Sequence, residues 1–166
     1  MKVADLMNPS VITIAPEESA ALAARLISRH NVGSLPVCGR DGRLRGIVTD
    51  RDIVLRCVAP EEDPAQTPVR DIMTRNCATV SPEDDPKEAA QMMAASQVRR
   101  LPVTQEGKLV GVLSLADLAR AEHFGMEAAQ ALSEISSNIC RPQRHSKPVV
   151  PKSKVDHAVS RSEKEL

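Results

Sequence analysis

Hydrophobic positions along the chain fall into short runs with strand-like alternation and longer runs with helical spacing, and the same succession occurs twice. In the first pass, Ala4 to Met7 reads as a helical turn and Val11 to Ile14 as a strand, with a turn marked by Pro16. Ser19 then suits the N-cap of a helix in which Leu22, Leu26 and Ile27 recur at helical spacing. Two β-runs follow, Leu35 to Cys38 and Leu44 to Thr49, joined around the turn-forming pair Asp41-Gly42. A last helix runs from Asp50 to about Cys57.

The second pass states some of these signals more clearly. Asp85 is placed to cap a helix, Pro86 suits its first position, and Glu88 suits the third as a capping-box partner. Ala89, Ala90, Met92 and Met93 form its apolar stripe. The second hairpin turns at Gln105-Glu106-Gly107, and a short helix from Leu115 to about Arg120 closes the unit. The predicted order is β-α-β-β-α, twice, an α+β fold.

A shift of about 66 residues lays one copy on the other. Val3-Ala4-Asp5-Leu6-Met7 meets Val69-Arg70-Asp71-Ile72-Met73, and Thr13-Ile14-Ala15-Pro16-Glu17 meets Thr79-Val80-Ser81-Pro82-Glu83. Val32-Gly33-Ser34-Leu35-Pro36-Val37 meets Val98-Arg99-Arg100-Leu101-Pro102-Val103. After a one-residue deletion in the second copy, Gly46-Ile47-Val48-Thr49 meets Gly111-Val112-Leu113-Ser114, and Asp52 meets Asp117. The chain therefore divides into a first unit at 2–58, a proline-rich acidic linker at 59–67 and a second unit at 68–122. A further segment, 123–140, contains an amphipathic helix over Gly125 to Ile139, with Met126, Ala129, Leu132 and Ile135 spaced for one face. The tail, 141–166, has Pro142, Pro148 and Pro151 and no periodicity, and is expected to be disordered.

Composition narrows the function. Trp and Tyr are absent and Phe124 is the only aromatic residue, which argues against single-stranded nucleic-acid binding through aromatic stacking platforms. The formal net charge is zero, although the tail carries about +4 and the rest about −4. On these grounds nucleic acid is not expected as a partner. No apolar stretch approaches the roughly 18–20 residues of a membrane span, and the first residues lack the apolar run of a secretion signal. A cytoplasmic location without membrane attachment is the expectation. Cys38, Cys57, Cys77 and Cys140 form no C-x-x-C pair and stand near no His at zinc-finger spacing. Burial as small hydrophobes is their ordinary role, while a pairing or metal site formed in space stays open.

The two segments Gly46-Ile47-Val48-Thr49-Asp50-Arg51-Asp52 and Gly111-Val112-Leu113-Ser114-Leu115-Ala116-Asp117, each preceded by a V-x-x-L-P-V segment, resemble the CBS-domain family. The resemblance covers roughly residues 2 to 122, and the whole is similar to small stand-alone bacterial CBS-pair proteins. It implies two units packed through their sheets as one pseudo-two-fold module, commonly a homodimer. It also implies two clefts for adenosine-containing ligands such as AMP, ADP, ATP or S-adenosylmethionine.

Thr49 and Asp52, like Ser114 and Asp117, match a capping box, [ST]-x-x-[DE], and so have a structural role available. A capped helix start is also an anion site, and a carboxylate one turn in can accept hydrogen bonds from ribose hydroxyls. The resemblance assigns Thr49 and Ser114 to phosphate or ribose and Asp52 and Asp117 to ribose. It places the base in a slot lined by Val11, Ile12, Gly33, Ser34, Leu35 and Pro36 in one unit, and by Cys77, Ala78, Leu101 and Pro102 in the other. Arg99 and Arg100 replace Gly33 and Ser34 in the second copy, and paired guanidiniums suit a phosphate as well as a surface ion pair. No nucleophile-base pair, Walker loop or H-E-x-x-H motif is present, so no enzymatic activity and no required cofactor are expected. The leading reading is a regulatory module with an adenine nucleotide as its ligand and an unidentified protein as a further partner. The alternative is a ligand-free interaction or stress-response module with a cysteine-based redox or metal switch.

Overall fold

The computed structural model describes residues 1–139, so the expected disorder of the tail and any role of Cys140 lie outside the described residues. The first repeat supplies α1 (Val3–Leu6), α2 (Ala20–His30), β1 (Ser34–Cys38), β2 (Leu44–Thr49) and α3 (Asp50–Ile53), which runs on as a π-helical turn, Val54–Val58. The second supplies α4 (Val69–Ile72), α5 (Pro86–Ser96), β3 (Arg100–Gln105), β4 (Lys108–Ser114) and α6 (Leu115–Arg120), followed by α7 (Gly125–Ile139). The strands form two antiparallel hairpins, β1–β2 and β3–β4. Glu106 and Gly107 turn the second with φ of 52° and 79°, the primed geometry that matches strand twist.

The strand expected at Val11 to Ile14 is not formed. Only Ile14 pairs, in parallel with Val37: its N–H donates to the Pro36 carbonyl at 3.1 Å, and the Cys38 N–H donates to the Ile14 carbonyl at 3.0 Å. Extending this ladder toward Ile12 would require an N–H on Pro36, and proline has none. The second repeat repeats the arrangement at Val80, Pro102 and Thr104, so Pro102 stops the ladder before Ala78. Each unit thus consists of a hairpin, its helices and a single bridge.

The caps follow the sequence in part. Ser19 Oγ accepts from Leu22 N–H, and Asp85 accepts from Lys87 N–H with Pro86 in the first turn. Glu88 makes no reciprocal bond and is exposed. In α2 the fully buried positions are Ala20 and Ala23, while Leu22, Leu26 and Ile27 pack at the margin. In α7 the buried face is Ala128, Ala131 and Ile135, continuing Phe124, rather than the face through Met126, Ala129 and Leu132. Small residues let this helix settle on α5 and α6; Met126 points away and is 86% exposed.

The two cores do not coincide with the two repeats. Val3, from the start of the first repeat, is fully buried in the core of the second, among Met93, Leu101, Leu113 and Leu118. Val69, Ile72 and Met73 lie reciprocally in the core of the first, with Leu35, Val37 and Val48. The exchange is held by paired backbone bonds. Val3 and Ala4 N–H donate to the Asp84 and Pro82 carbonyls, as Val69 and Arg70 N–H donate to those of Glu18 and Pro16. After each short helix the chain pairs with the opposite hairpin, Asn8 with Val112 on β4 and Thr74 with Ile47 on β2. Gly46 and Gly111 make these crossings possible: a Cβ at Gly46 would lie 2.5 Å from the Thr74 carbonyl oxygen. Each of these crossings has its pseudo-symmetric mate, which gives the module its pseudo-two-fold axis.

Candidate functional site

The crossings leave a cavity of about 250 Å³ between the units. Val11, Ile12, Ser34, Leu35 and Pro36 of the first repeat line it on one side. Arg100, Pro102, Ser114 and Asp117 of the second line it on the other. One cavity therefore joins the slot of one repeat to the capped helix of the other. The proline that stops the ladder also shapes the slot. The backbone N–H and C=O groups of Val11 and Ile12 make no hydrogen bond to a described residue and remain available beside the apolar wall.

At the far end, Ser114 and Asp117 form a complete capping box on α6. Ser114 N–H donates to Asp117 Oδ2 at 2.9 Å, and Asp117 N–H donates to Ser114 Oγ at 3.2 Å. Ser114 Oγ also donates its proton to Asp117 Oδ2 at 2.5 Å, so the hydroxyl has no donor left for a phosphate. Among the described residues Asp117 Oδ1 has Arg120 as its one polar partner, and that side chain is 72% exposed and free to swing away. The carboxylate can therefore accept from a ligand without dismantling the cap. Arg100 is the cation that lines the cavity. Arg99 lies outside it, in a groove shared by Arg100, Ser114 and Leu115 that runs toward α7. Gly33 sits beside the cavity, and a Cβ there would stand 3.8 Å from both Arg100 Nη1 and Asp50 Oδ2.

The remaining sequence-predicted residues belong to the pseudo-symmetric position. Thr49 and Asp52 form the matching capping box on α3, with Thr49 N–H to Asp52 Oδ2 and Asp52 N–H to Thr49 Oγ1 both at 3.0 Å. Cys77 and Ala78 occupy the slot positions equivalent to Val11 and Ile12, and Leu101 is turned into the second core. The sequence reading missed Asn8, Ser10, Val32, Ile47 and Val112 as cavity residues. Asn8 and Val112 enter because they pair at a crossing, and the repeat pattern carries no signal of that pairing.

The three described cysteines do not assemble. Cys38, Cys57 and Cys77 are free, and no group of three or more His, Cys, Asp or Glu side chains gathers at metal-binding distance among the described residues. Burial pushes the Cys38 thiol up, with the Asp41 charge adding to it, and burial likewise pushes up Cys77. Thiols held protonated in this way are poor nucleophiles and poor redox sensors. Among the described residues no helix is long and apolar enough to cross a membrane.

Comparison with known proteins fits this geometry. The family model described as "CBS domain" matches residues 3–59 and again 69–123. The chain belongs to the CBS-domain family. It is 40% identical over 134 residues to the CBS domain-containing protein YhcV of Bacillus subtilis, covering 81% of this chain and 94% of that one. It is 35% identical over 130 residues to Hypoxic response protein 1 of Mycobacterium tuberculosis, covering 77% and 91%. The crystal structure of that protein with two coordinated zinc ions superposes with a TM-score of 0.68, over 72% of this chain and 98% of that one. The CBS protein PAE2072 of Pyrobaculum aerophilum, solved in complex with AMP, superposes with a TM-score of 0.68 at 28% identity, covering 78% and 99%.

Proposed function

We propose that this CBS pair is a cytoplasmic regulatory module, not an enzyme, that binds an adenosine-containing ligand in the cavity between its two units. The observation that carries the reading is the composite cavity itself. It sets unpaired backbone N–H and C=O groups and an apolar wall at one end, and a carboxylate and a guanidinium at the other. The adenine edge would be read by the backbone of Val11 and Ile12, with Leu35 and Pro36 against its face. Asp117 Oδ1 would accept from the ribose hydroxyls, and Arg100 would take the phosphate, since Ser114 has no proton to give. The volume lies at the small end for ligand sites, which favours a monophosphate; a longer phosphate chain would run out along the groove toward Arg99. The AMP complex of PAE2072 supports the ligand class.

A ligand that touches both units shifts their relative orientation by its differential affinity for the two arrangements, and a protein partner would read that shift. The second face of the module supports self-association. Helix α7 covers α5 and α6, whereas the equivalent surface of the first unit leaves Val54, Leu55 and Val58 more than half exposed. A second copy of the chain would cover it.

Calorimetric titration of AMP, ATP and S-adenosylmethionine tests the ligand assignment. AMP is expected to bind below millimolar Kd, and Asp117→Asn to weaken it about 10- to 100-fold through loss of charge-assisted hydrogen bonds. A Kd above millimolar for all three, or an unchanged affinity in Asp117→Asn, would refute it.

A further inference from the structure

The second cleft differs from the first at the position that would meet the ribose. Arg56 reaches from the π-helical turn across to the crossing strand of the other repeat. Its Nη1 donates to the Ile72 carbonyl at 2.9 Å and to Thr74 Oγ1 at 3.3 Å, and stands 3.6 Å from Asp52 Oδ1. Asp52 Oδ1 is the carboxylate oxygen that its own capping box does not use. Thr74 is the repeat mate of Asn8, which lines the open cavity. The residue matching Arg56 in the second repeat is Ala121, from which nothing extends toward Asn8. In the second cleft, therefore, a guanidinium of the chain itself bridges the carboxylate and the crossing segment, whereas in the first cleft Asn8 and Asp117 both line the open cavity.

The two arginines that face these carboxylates are not equivalent. Among the described residues Asp117 is the one polar partner of Arg120, whose side chain is 72% exposed, so solvent replaces that contact readily. Arg56 is 47% exposed and held by three partners on two segments, and its departure would leave the Ile72 carbonyl without the guanidinium. The cation at the mouth is also missing, because Ser34 stands where Arg100 stands in the other repeat.

We infer that the chain takes one adenosine ligand, in the cleft of Asp117, and that Arg56 fills the second cleft as a built-in plug. The inference rests on the ligand reading above and deepens it. The site residues Thr49, Asp52, Cys77 and Ala78 then serve as structure in the wild-type chain and become a binding site only when Arg56 is removed.

The test is calorimetric titration of the full chain with AMP, comparing wild type with Arg56→Ala, the residue found at the matching position 121. Wild type should bind one equivalent per chain and Arg56→Ala two, the second about tenfold weaker or more for want of Arg100. Asp117→Asn should weaken the one site of the wild type and spare the additional site in the Arg56→Ala background. Two equivalents in wild type, or one in Arg56→Ala, would overturn the plug while leaving the ligand reading intact. No binding to any variant would overturn both. Should Arg56→Ala fail to fold, Arg56→Met keeps the aliphatic stem and carries the same expectation.

Discussion

Replacing each motif glycine by alanine tests the crossing of the two repeats, because the obstacles at the two positions differ in kind. At Gly46 the added methyl would stand 2.5 Å from the Thr74 carbonyl oxygen, 3.1 Å from Met73 Sδ and 3.3 Å from the Thr74 carbonyl carbon. That carbonyl is fixed by a reciprocal pair of bonds with Ile47, at 3.0 and 2.8 Å, so it cannot retreat without breaking the crossing. At Gly111 the first obstacle, at 2.7 Å, is Met7 Sδ, the far end of a flexible side chain; the Asn8 carbonyl oxygen stands at 3.0 Å. Overpacking against fixed atoms costs about 1–3 kcal/mol, and alanine recovers about 0.5–1 kcal/mol over glycine in a strand. Gly46→Ala should therefore destabilise by about 1–2 kcal/mol, and Gly111→Ala by less than about 0.5 kcal/mol. In a chain of this length that separates the melting temperatures by about 2–6 °C. Urea unfolding followed by circular dichroism gives both values with their slopes. Equal stability of the two variants, or a neutral Gly46→Ala, would mean that the crossing is not the rigid contact described.

Self-association through the first unit predicts a dimer by light scattering at tens of micromolar (about the range of ordinary weak interfaces), and a monomer for Leu55→Glu, which places a charge in an apolar contact; a monomeric wild type would remove the proposal. The thiols give a pH prediction. With their folded values raised by burial, Cys38 and Cys77 ionise at higher pH in the native chain than an ordinary thiol does. Their contribution to stability is whole below the unfolded value and is lost as pH rises through the folded one. Alkylation of the native chain near neutral pH should thus run slower than in urea, read by mass spectrometry residue by residue; equal rates at Cys38 and Cys77 would contradict it.

Much of the fold was legible because it rests on local chemistry. The repeat, the two hairpins with Gly42 and Gly107 at positive φ, the caps at Ser19 and Asp85 and both capping boxes follow from residue types at fixed spacing. The failures have equally definite causes. Val11 to Ile14 has strand composition, but the missing N–H of Pro36, itself part of the motif, limits pairing to Ile14. In α7 large apolar residues suggested one face, while close packing on α5 and α6 selected the small one through Ala128 and Ala131. Hydrophobicity alone ranks Met126 above alanine; the space available at a helix contact reverses the order.

The candidate site was legible residue by residue but not as a site. The motif that ends in Asp117 and the slot at Val11 and Ile12 are each visible, yet reading the repeat as a self-contained unit pairs each slot with its own cap. The exchange of α1 and α4 between the units breaks that pairing, so a slot meets the cap of the other repeat. The same exchange decides the inequality of the clefts. Arg100 against Ser34 could be read from the alignment of the copies, and it points to a phosphate in one cleft only. Arg56 against Ala121 was equally visible as a difference and meant nothing there, because its partners Ile72 and Thr74 come from the other repeat. Once the chain segments cross, the Arg56 guanidinium stands 3.6 Å from the Asp52 carboxylate oxygen that the capping box leaves free. Divergence between two copies of one motif thus acquires its meaning from the contact between them, and that contact is set by the crossing at Gly46 and Gly111.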